Sequence, residues 1–203
     1  LAIVEMLRPV FAVNTVIDEH RNMSFVNFGE IVESHLQAVE FIRGYAQVAV
    51  PRRFATVVTS AAGYPLDKTY YQTVKGMVGP MDILAPGGTL IIASECSEGM
   101  GSEEFVEAQK RLIALGPDGF LANIAAKRYA DIDEWQTQMQ VKPMKVGQVK
   151  LFAGKLSTAD RALTGVDVLD SVEDAVAASI RASGDAHVAV IPEGPYVVPV
   201  YRG

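Results

Sequence analysis

Alternation of buried strands with helix-like segments is the feature of this sequence that most limits its fold. The apolar runs FATVVTS (54–60) and TLIIAS (89–94) have the length and composition of buried strands. Two later runs, VKLFAG (149–154) and HVAVI (187–191), are also strand-like and are separated by a helical pattern over 171–183. Strands that alternate with helices favour a largely parallel or mixed sheet with helices on both faces. The sequence therefore predicts an α/β fold.

The first fifty residues follow a different pattern. VFAVNTVID (10–18) and MSFVNF (23–28) are interpreted as two strands joined by a charged turn. Residues 29–46 then carry apolar side chains at the spacing of one helix face. The segment VAVPRR (48–53) interrupts this pattern with a proline and two arginines, and we interpret it as a connection between two lobes.

The sequence predicts one complete lobe and part of another. The chain has 203 residues, enough for one good core and part of a second. We predict that residues 48–184 form a complete C-terminal lobe. Residues 1–47 and 185–203 are expected to belong to an N-terminal lobe that is mostly missing. Since the chain begins without Met and inside a helix-like segment, we expect it to be a fragment of a longer protein.

Composition narrows the classes of function. The net charge of −6 argues against a general role in binding nucleic acid or a membrane surface, which favour basic proteins. No apolar run approaches the roughly 20 residues that span a bilayer. The single cysteine, Cys96, excludes an internal disulfide and suits a reducing compartment. We therefore expect a cytoplasmic protein that binds neither nucleic acid nor a membrane.

Two small-residue loops follow the first two buried strands of the α/β region, SAAGYP (60–65) and SECSEGMGS (94–102). In parallel sheets, ligands bind beyond the carboxyl ends of the strands, where such loops lead into helices. Neither loop matches a phosphate-binding motif, so each is also compatible with a simple tight connection. Cys96 lies in the second loop and, without a basic neighbour in sequence, is interpreted as a small packed residue.

The helix after the first loop carries the candidate binding residues. Asp67 is placed to cap its N-terminus. Tyr71, Gln72 and Lys75 follow at spacings of three and four residues and so share one face. A phenol, an amide and an ammonium group on one face could bind a carboxylate with an adjacent hydroxyl. The alternative is that Lys75 is solvated and Tyr71 packs on the sheet.

Five sequence blocks together cover most of the chain: VNTVIDEHR (13–21), GYPLDKTYYQTVKGM (63–77), LAPGGTLIIASECSEGMGSEEF (84–105), DEWQTQ (133–138) and VAVIPEGPYVVP (188–199). In order and spacing these blocks resemble the C-terminal part of the nickel-dependent lactate racemase family, whose members racemise or epimerise 2-hydroxy acids. One departure is Ala62, where the family's turn is expected to carry a second glycine.

The resemblance implies a reaction and a role for each candidate residue. Family members use a nickel pincer nucleotide to remove a hydride from the substrate's α-carbon and return it to either face. By this similarity Lys75 and Gln72 would hold the substrate, Tyr71 would line the pocket, and Trp135 would close the cleft beside the cofactor. The lysine that tethers the cofactor, the histidine that binds nickel and the catalytic histidine pair lie in the family's N-terminal part. No catalytic residue is therefore expected in this chain, which should be inactive alone.

The histidines of this chain do not replace that missing part. His20, His35 and His187 lack metal-ligand spacing to one another, and a structural role is favoured for each. Neither a metal site nor a bound cofactor is expected in the fragment. The expected partner is a small 2-hydroxy acid, and its identity stays open among lactate, malate, aryl-lactates and sugar acids.

Two other functions and one form of association stay open at this stage. APGGTLIIAS (85–94) resembles a late strand of methyltransferase-like folds, although the glycine-rich loop for the methyl donor is missing. A non-catalytic ligand-binding α/β domain is the second alternative. Segments 10–28 and 187–200 are too apolar to be exposed, so we expect them to pack on each other or on a second copy, which would give a homo-oligomer.

Overall fold

The computed structural model describes residues 2–7, 9–18 and 20–203. The chain divides into two compact units, residues 1–48 and 49–203. A short strand, Gln47–Val50, includes residues on both sides of this boundary. Elements of the first unit are α1 (Ala2–Leu7), β1 (Phe11–Ile17), β2 (Met23–Glu30) and α2 (Ile31–Ala46).

The first unit is an antiparallel hairpin of β1 and β2 with α2 packed on one face. Val13 lies opposite Phe28 across the hairpin. Because successive strand residues point to opposite faces, these apolar side chains lie on the face away from α2, where both are exposed. On the covered face, Asn14 Nδ2 donates a 2.6 Å hydrogen bond to Ser34 Oγ of α2. The Glu30 carboxylate caps α2 by accepting from two of its first N–H groups.

The second unit is built around a five-stranded sheet with strand order β7-β6-β5-β4-β8, in which every neighbouring pair is parallel. The strands are β3 (Gln47–Val50), β4 (Phe54–Ser60), β5 (Leu84–Ser94), β6 (Gln148–Ala153), β7 (Asp167–Leu169), β8 (Val188–Ile191) and β9 (Val198–Tyr201). The helices are α3 (Tyr70–Val78), α4 (Glu103–Ala125), α5 (Glu134–Val146), α6 (Thr158–Leu163) and α7 (Val172–Ser183). Two short 3-10 helices, Gly79–Asp82 and Gly194–Tyr196, complete the unit.

Helices cover both faces of this sheet, as the sequence predicts for an α/β fold. On one face Val57 and Leu90 belong to the main core, together with Val74 of α3. On the other face the hydroxyl groups of Thr56 and Ser179 of α7 are 2.7 Å apart and share a hydrogen bond. Thr56 and Val57 are consecutive, so their side chains point to opposite faces. No helix of the described residues is long and apolar enough to cross a membrane.

The tail of the chain, residues 185–203, packs within the second unit. Sequence reasoning grouped residues 185–203 with residues 1–47, whereas the structure includes them in the unit 49–203. β8 pairs with β4 in parallel, and a side chain at Gly194 would collide with Thr59 and Ser60 at the end of β4. The tail therefore completes the sheet in this chain. The assignment of segments to lobes of a longer protein stays a prediction.

Candidate functional site

Helix α3 begins later than the sequence predicts. Asp67 was expected to cap it, but Thr69 is the N-cap, and its hydroxyl accepts a 3.3 Å hydrogen bond from Gln72 N. The Asp67 backbone is used differently, since its carbonyl oxygen accepts from Cys96 N at 2.7 Å. The preceding turn closes on Gly63, whose carbonyl accepts from Leu66 and Asp67 N–H groups. The expected cap was wrong because this turn places Asp67 before the helix.

The two small-residue loops are joined through their backbones. Tyr70 N donates to Gly99 O at 2.9 Å, and Tyr71 N donates to Met100 O at 3.0 Å. With Gln72 N held by Thr69, the first N–H groups of α3 all have partners within the protein. The helix N-terminus therefore offers no free backbone donor to an anion. An anion bound here must be held by side chains.

Cys96 is a packed residue of this junction, as its sequence context suggests. Its side chain is fully buried, and its thiol lies 3.4 Å from Ser94 Oγ and 3.5 Å from Thr73 Oγ1. Burial raises the pKa of the thiol above its ordinary value, which keeps it protonated and unreactive at neutral pH.

Tyr71 is half-buried, and its hydroxyl has a defined partner. The hydroxyl donates to Asp133 Oδ1 at 3.2 Å. Burial, followed by the nearby Asp133 carboxylate, raises the pKa of Tyr71. The phenol is therefore protonated, and its proton is already directed to Asp133. Tyr71 can therefore offer a ligand its ring and an oxygen lone pair, but not its hydroxyl proton.

Asp133 is a site residue that sequence reasoning missed. Its second carboxylate oxygen accepts from Ser102 Oγ at 2.6 Å, so one side chain joins α3 and the start of α4. Asp133 precedes α5 in a left-handed conformation, with φ of +61°. The only signal in the sequence was its place in the block DEWQTQ, which says nothing about partners far away in the chain.

Trp135 lies beside Tyr71, so the structure brings together two of the four candidate residues from distant segments. The two rings are edge to face, with centroids 6.2 Å apart and an interplanar angle of 87°. Trp135 remains 50% exposed, which leaves part of its indole free for a ligand or another surface. Gln136 Nε2 donates to Tyr71 O at 2.6 Å and ties α5 directly to α3.

A buried ionic cluster holds the first turn of α5. The Glu134 carboxylate, 4% exposed as a residue, accepts 2.8 Å hydrogen bonds from Arg111 and from Lys127. It also accepts from Asp131 N at 2.9 Å. Burial alone would raise the pKa of Glu134, but the hydrogen bonds from Lys127, Asp131 N and Arg111 lower it. Glu134 is therefore ionised at neutral pH and anchors the residues on either side of it.

Gln72 and Lys75 provide the polar groups of α3. Gln72 Oε1 is buried and has no hydrogen-bond partner among the described residues. Lys75 is exposed, and its ammonium group forms no ion pair with any residue in the described ranges. A buried amide atom without a partner is unusual in a native fold and suits a ligand that supplies one. The pair offers an amide and a cation three residues apart on one helix.

The described part of the chain contains no donor set for nickel. Across residues 2–7, 9–18 and 20–203, no three His, Cys, Asp or Glu side chains come together to hold a metal ion. His187 Nδ1 lies 3.1 Å from Asp185 Oδ1, within a surface group that also includes Arg52. The residues of the described ranges therefore do not by themselves fit a nickel cofactor.

The fold and the site define a class of protein. A parallel α/β sheet carries a set of polar and aromatic side chains beyond the carboxyl ends of its strands, where such sheets bind small ligands. The family model described as the lactate racemase C-terminal domain matches residues 51–199. The chain belongs to this family.

Individual relatives agree with the family match. The chain is 31% identical over 194 residues to a lactate racemase of Thermoanaerobacterium thermosaccharolyticum, covering 93% of this chain and 44% of the relative. It is 27% identical over 193 residues to a lactate racemase of Lactiplantibacillus plantarum, with the same coverage of 93% and 44%. The chain thus spans less than half the length of these relatives.

Solved structures share the fold. The lactate racemase apoprotein of T. thermosaccharolyticum superposes with a TM-score of 0.80 at 25% identity, over 95% of this chain and 46% of that one. A Thermotoga maritima protein has a TM-score of 0.60 at 13% identity, over 95% and 49% of the two chains, which is a likeness of fold alone. The predicted resemblance and the α/β fold class are both confirmed.

Proposed function

We propose that this chain is the substrate-binding, C-terminal part of a cytoplasmic 2-hydroxy-acid racemase or epimerase. The observation that carries the proposal is the pair Gln72 and Lys75 on one face of α3. Among the residues that the structure describes, the buried amide oxygen of Gln72 has no hydrogen-bond partner and the Lys75 ammonium group has no ion pair. Lys75 supplies the charge that attracts a carboxylate, and Gln72 Oε1 can accept a hydrogen bond from the adjacent hydroxyl group. Membership of the lactate racemase family supports this substrate class.

Tyr71 and Trp135 form the apolar side of the proposed site. Their edge-to-face contact gives a fixed aromatic wall, and the exposed half of Trp135 can cover a ligand and exclude water from it. Since the Tyr71 proton is directed to Asp133, the phenol oxygen faces a ligand only as an acceptor. The wall suits the carbon skeleton of a hydroxy acid, and the Lys75–Gln72 face suits its polar end.

The full-length protein is proposed to use the nickel pincer nucleotide of its family. When bound, that cofactor would supply the site that takes and returns the hydride of the substrate's α-carbon. Its tethering and metal-binding residues are assigned to a part of the protein outside this chain. This chain's own contribution is to bind the carboxylate, orient the α-carbon and shield it from water.

The proposal is tested on the full-length protein and on this chain in parallel. In the full-length protein we expect bound nickel and racemisation of at least one acid in a panel of lactate, malate, aryl-lactates and sugar acids. In this chain alone we expect neither stoichiometric nickel nor turnover. Racemisation by the isolated chain would contradict the proposal that the cofactor-binding residues lie outside it. A full-length protein that contains nickel but is inactive on the whole panel would contradict the substrate class.

Ligand binding by this chain can be measured without turnover. Trp135 is the only tryptophan, so fluorescence excited at about 295 nm, where the seven tyrosines absorb little, reports this site. We expect lactate or a related 2-hydroxy acid to change the emission of Trp135 in a saturable manner, while the matching acids without the 2-hydroxyl group act more weakly. Equal effects of propionate and lactate would argue against recognition of the hydroxyl, and would favour a general carboxylate-binding domain.

A further inference from the structure

Asp133 connects three segments that form the proposed site. One carboxylate oxygen accepts from the Tyr71 hydroxyl at 3.2 Å, and the other accepts from the Ser102 hydroxyl at 2.6 Å. Its backbone carbonyl accepts from Gln136 N at 3.1 Å at the start of α5. Trp135 follows only two residues later, so the same segment that holds the Tyr71 hydroxyl also presents the indole.

The Asp133 side chain is not needed to cap its own helix. Aspartate before a helix ordinarily accepts from an N–H group of the first turn, but Asp133 makes no such hydrogen bond. Both oxygens are instead used by side chains that are 62 and 31 residues away in sequence. The left-handed backbone, with φ of +61°, directs the carboxylate to these partners at a conformational cost.

Neighbouring contacts leave Tyr71 little freedom around this hydrogen bond. A Cβ atom added at Gly101 would lie 2.8 Å from Tyr71 Cβ, so the loop approaches the base of the side chain closely. The Phe105 ring is edge to face with the Tyr71 ring at 5.2 Å between centroids. The buried Glu134 carboxylate, which follows Asp133 directly, pairs with the partly buried Arg111 and Lys127 and so ties this segment to α4 and to the loop after it.

We propose that Asp133 is a positioning residue of the site, whose carboxylate fixes the Tyr71 hydroxyl and thereby the angle at which Tyr71 and Trp135 face a bound 2-hydroxy acid. This inference rests on the proposed function for the identity of the ligand. Asp133 acts through Tyr71 and contacts neither ligand nor cofactor itself.

Asp133→Asn is the informative variant. Asparagine tolerates the left-handed backbone about as well as aspartate, so the substitution keeps the loop conformation. It removes the charge and replaces one accepting oxygen by an NH2 group, which cannot accept from a hydroxyl. The matched control is Asp118→Asn, because Asp118 pairs with Lys145 on the surface and its side chain is 85% exposed.

The experiment uses the 203-residue chain and two readouts, the emission of Trp135 and the lactate titration that it reports. We expect Asp133→Asn to change the emission and acrylamide quenching of Trp135 and to weaken lactate binding about five- to tenfold. In a Tyr71→Phe background, where the hydroxyl is gone, the same substitution should weaken binding by less than about twofold. Asp118→Asn should change neither readout.

The outcomes separate this inference from the proposed function. Asp133→Asn with unchanged Trp135 emission and unchanged lactate affinity would overturn the positioning role, and so would an equal loss of affinity in the Tyr71→Phe background. A wild-type chain whose Trp135 emission responds to no 2-hydroxy acid would contradict the proposed ligand. The positioning role would then be decided only by whether Asp133→Asn changes the emission of Trp135.

Discussion

Helix α3 crosses the end of β4 at Gly76, so closely that an added Cβ atom would lie 2.6 Å from the carbonyl oxygen of Ser60. The same atom would lie 2.9 Å from Ile92 Cδ1. The Ser60 carbonyl oxygen belongs to the backbone and cannot rotate away as a side-chain atom can, so an added Cβ atom at 2.6 Å requires the backbone to move. Gly76 directly follows Lys75, so this contact fixes how far the proposed cation stands from the sheet.

We therefore predict that Gly76→Ala lowers the free energy of unfolding by about 1–3 kcal/mol, although alanine is the better helix former. Overpacking against Ser60 should also shift α3 and change the emission of Trp135. Urea unfolding followed by far-UV circular dichroism measures the loss. Gly154→Ala is the control, since no atom lies within 4 Å of the added Cβ there, and its effect should stay within about 0.5 kcal/mol. Equal stability of the two variants would show that α3 is free to move.

Lys75→Ala tests the proposed cation in the full-length protein. Since Lys75 is exposed and packs no core, the substitution should leave the melting temperature unchanged. Loss of a charge-assisted contact with the substrate costs about 1.5–3 kcal/mol, which lowers turnover about ten- to a hundredfold. Lys75→Arg should restore activity only in part, because a planar guanidinium differs in shape from an ammonium. Stereospecific racemisation assays measure both variants.

The control for this prediction is Lys145→Ala, which removes an exposed lysine paired with Asp118 and should keep normal turnover. Near-normal activity of Lys75→Ala would remove Lys75 from the proposed site. A loss of activity that equals the loss of folded protein would assign it a structural role.

Glu134 gives a pH-dependent prediction. Its folded-state pKa lies below the ordinary pKa of a glutamate, so its contribution to stability is fully present above that ordinary pKa and is lost as the pH falls through the folded-state pKa. At pH 7, Glu134→Gln should lower the free energy of unfolding by about 1.5–3 kcal/mol, as expected for lost hydrogen bonds to charged groups.

Chemical unfolding at a series of pH values measures this effect. The difference in the free energy of unfolding between wild type and Glu134→Gln should narrow as the pH falls below the ordinary glutamate range, because the unfolded chain binds a proton there first and the folded carboxylate binds one only at its lowered pKa. Glu107→Gln is the control, because Glu107 pairs with Lys110 at the surface, and its side chain is 68% exposed. A gap that stays constant down to pH 3 would mean that ionisation of Glu134 does not stabilise the fold.

The uncovered face of the hairpin predicts self-association of this chain. Phe11, Val13, Val26 and Phe28 are all more than half exposed, and the rings of Phe11 and Phe28 stack with centroids 5.8 Å apart. A contiguous apolar surface of this kind favours burial against another protein surface. Light scattering at increasing concentration should detect a homo-oligomer, and Val13→Lys should shift it towards the monomer.

Leu36→Lys provides the comparison, since Leu36 is 59% exposed on α2 and not on the hairpin face. It should leave the oligomer intact. A strict monomer at all concentrations, or equal effects of the two lysine substitutions, would contradict association through the hairpin. Segment 187–200 is less available than its sequence suggested, because β8 already pairs with β4.

Much of the fold follows from local pattern. The segment FATVVTS coincides with β4, and the helices predicted over 29–46 and 171–183 differ from α2 and α7 by only one or two residues at the start. In these elements the apolar residues recur at a regular spacing and capping residues mark the ends of the helices, and both are local properties of the chain. The short strands β3 and β7 were missed, whereas β8, which is also four residues long, was predicted from the apolar run HVAVI.

By itself the sequence determined the α/β class, the family and the shared helix of Tyr71, Gln72 and Lys75, since these depend on composition, block order and spacing along the chain. Only the tertiary structure decided that β8 completes the sheet beside β4 and that Thr69 caps α3. It also decided that the Tyr71 proton is directed to Asp133. The physical reason is that each of these results depends on which donor meets which acceptor, or which strand edge meets which strand, after distant segments have packed together.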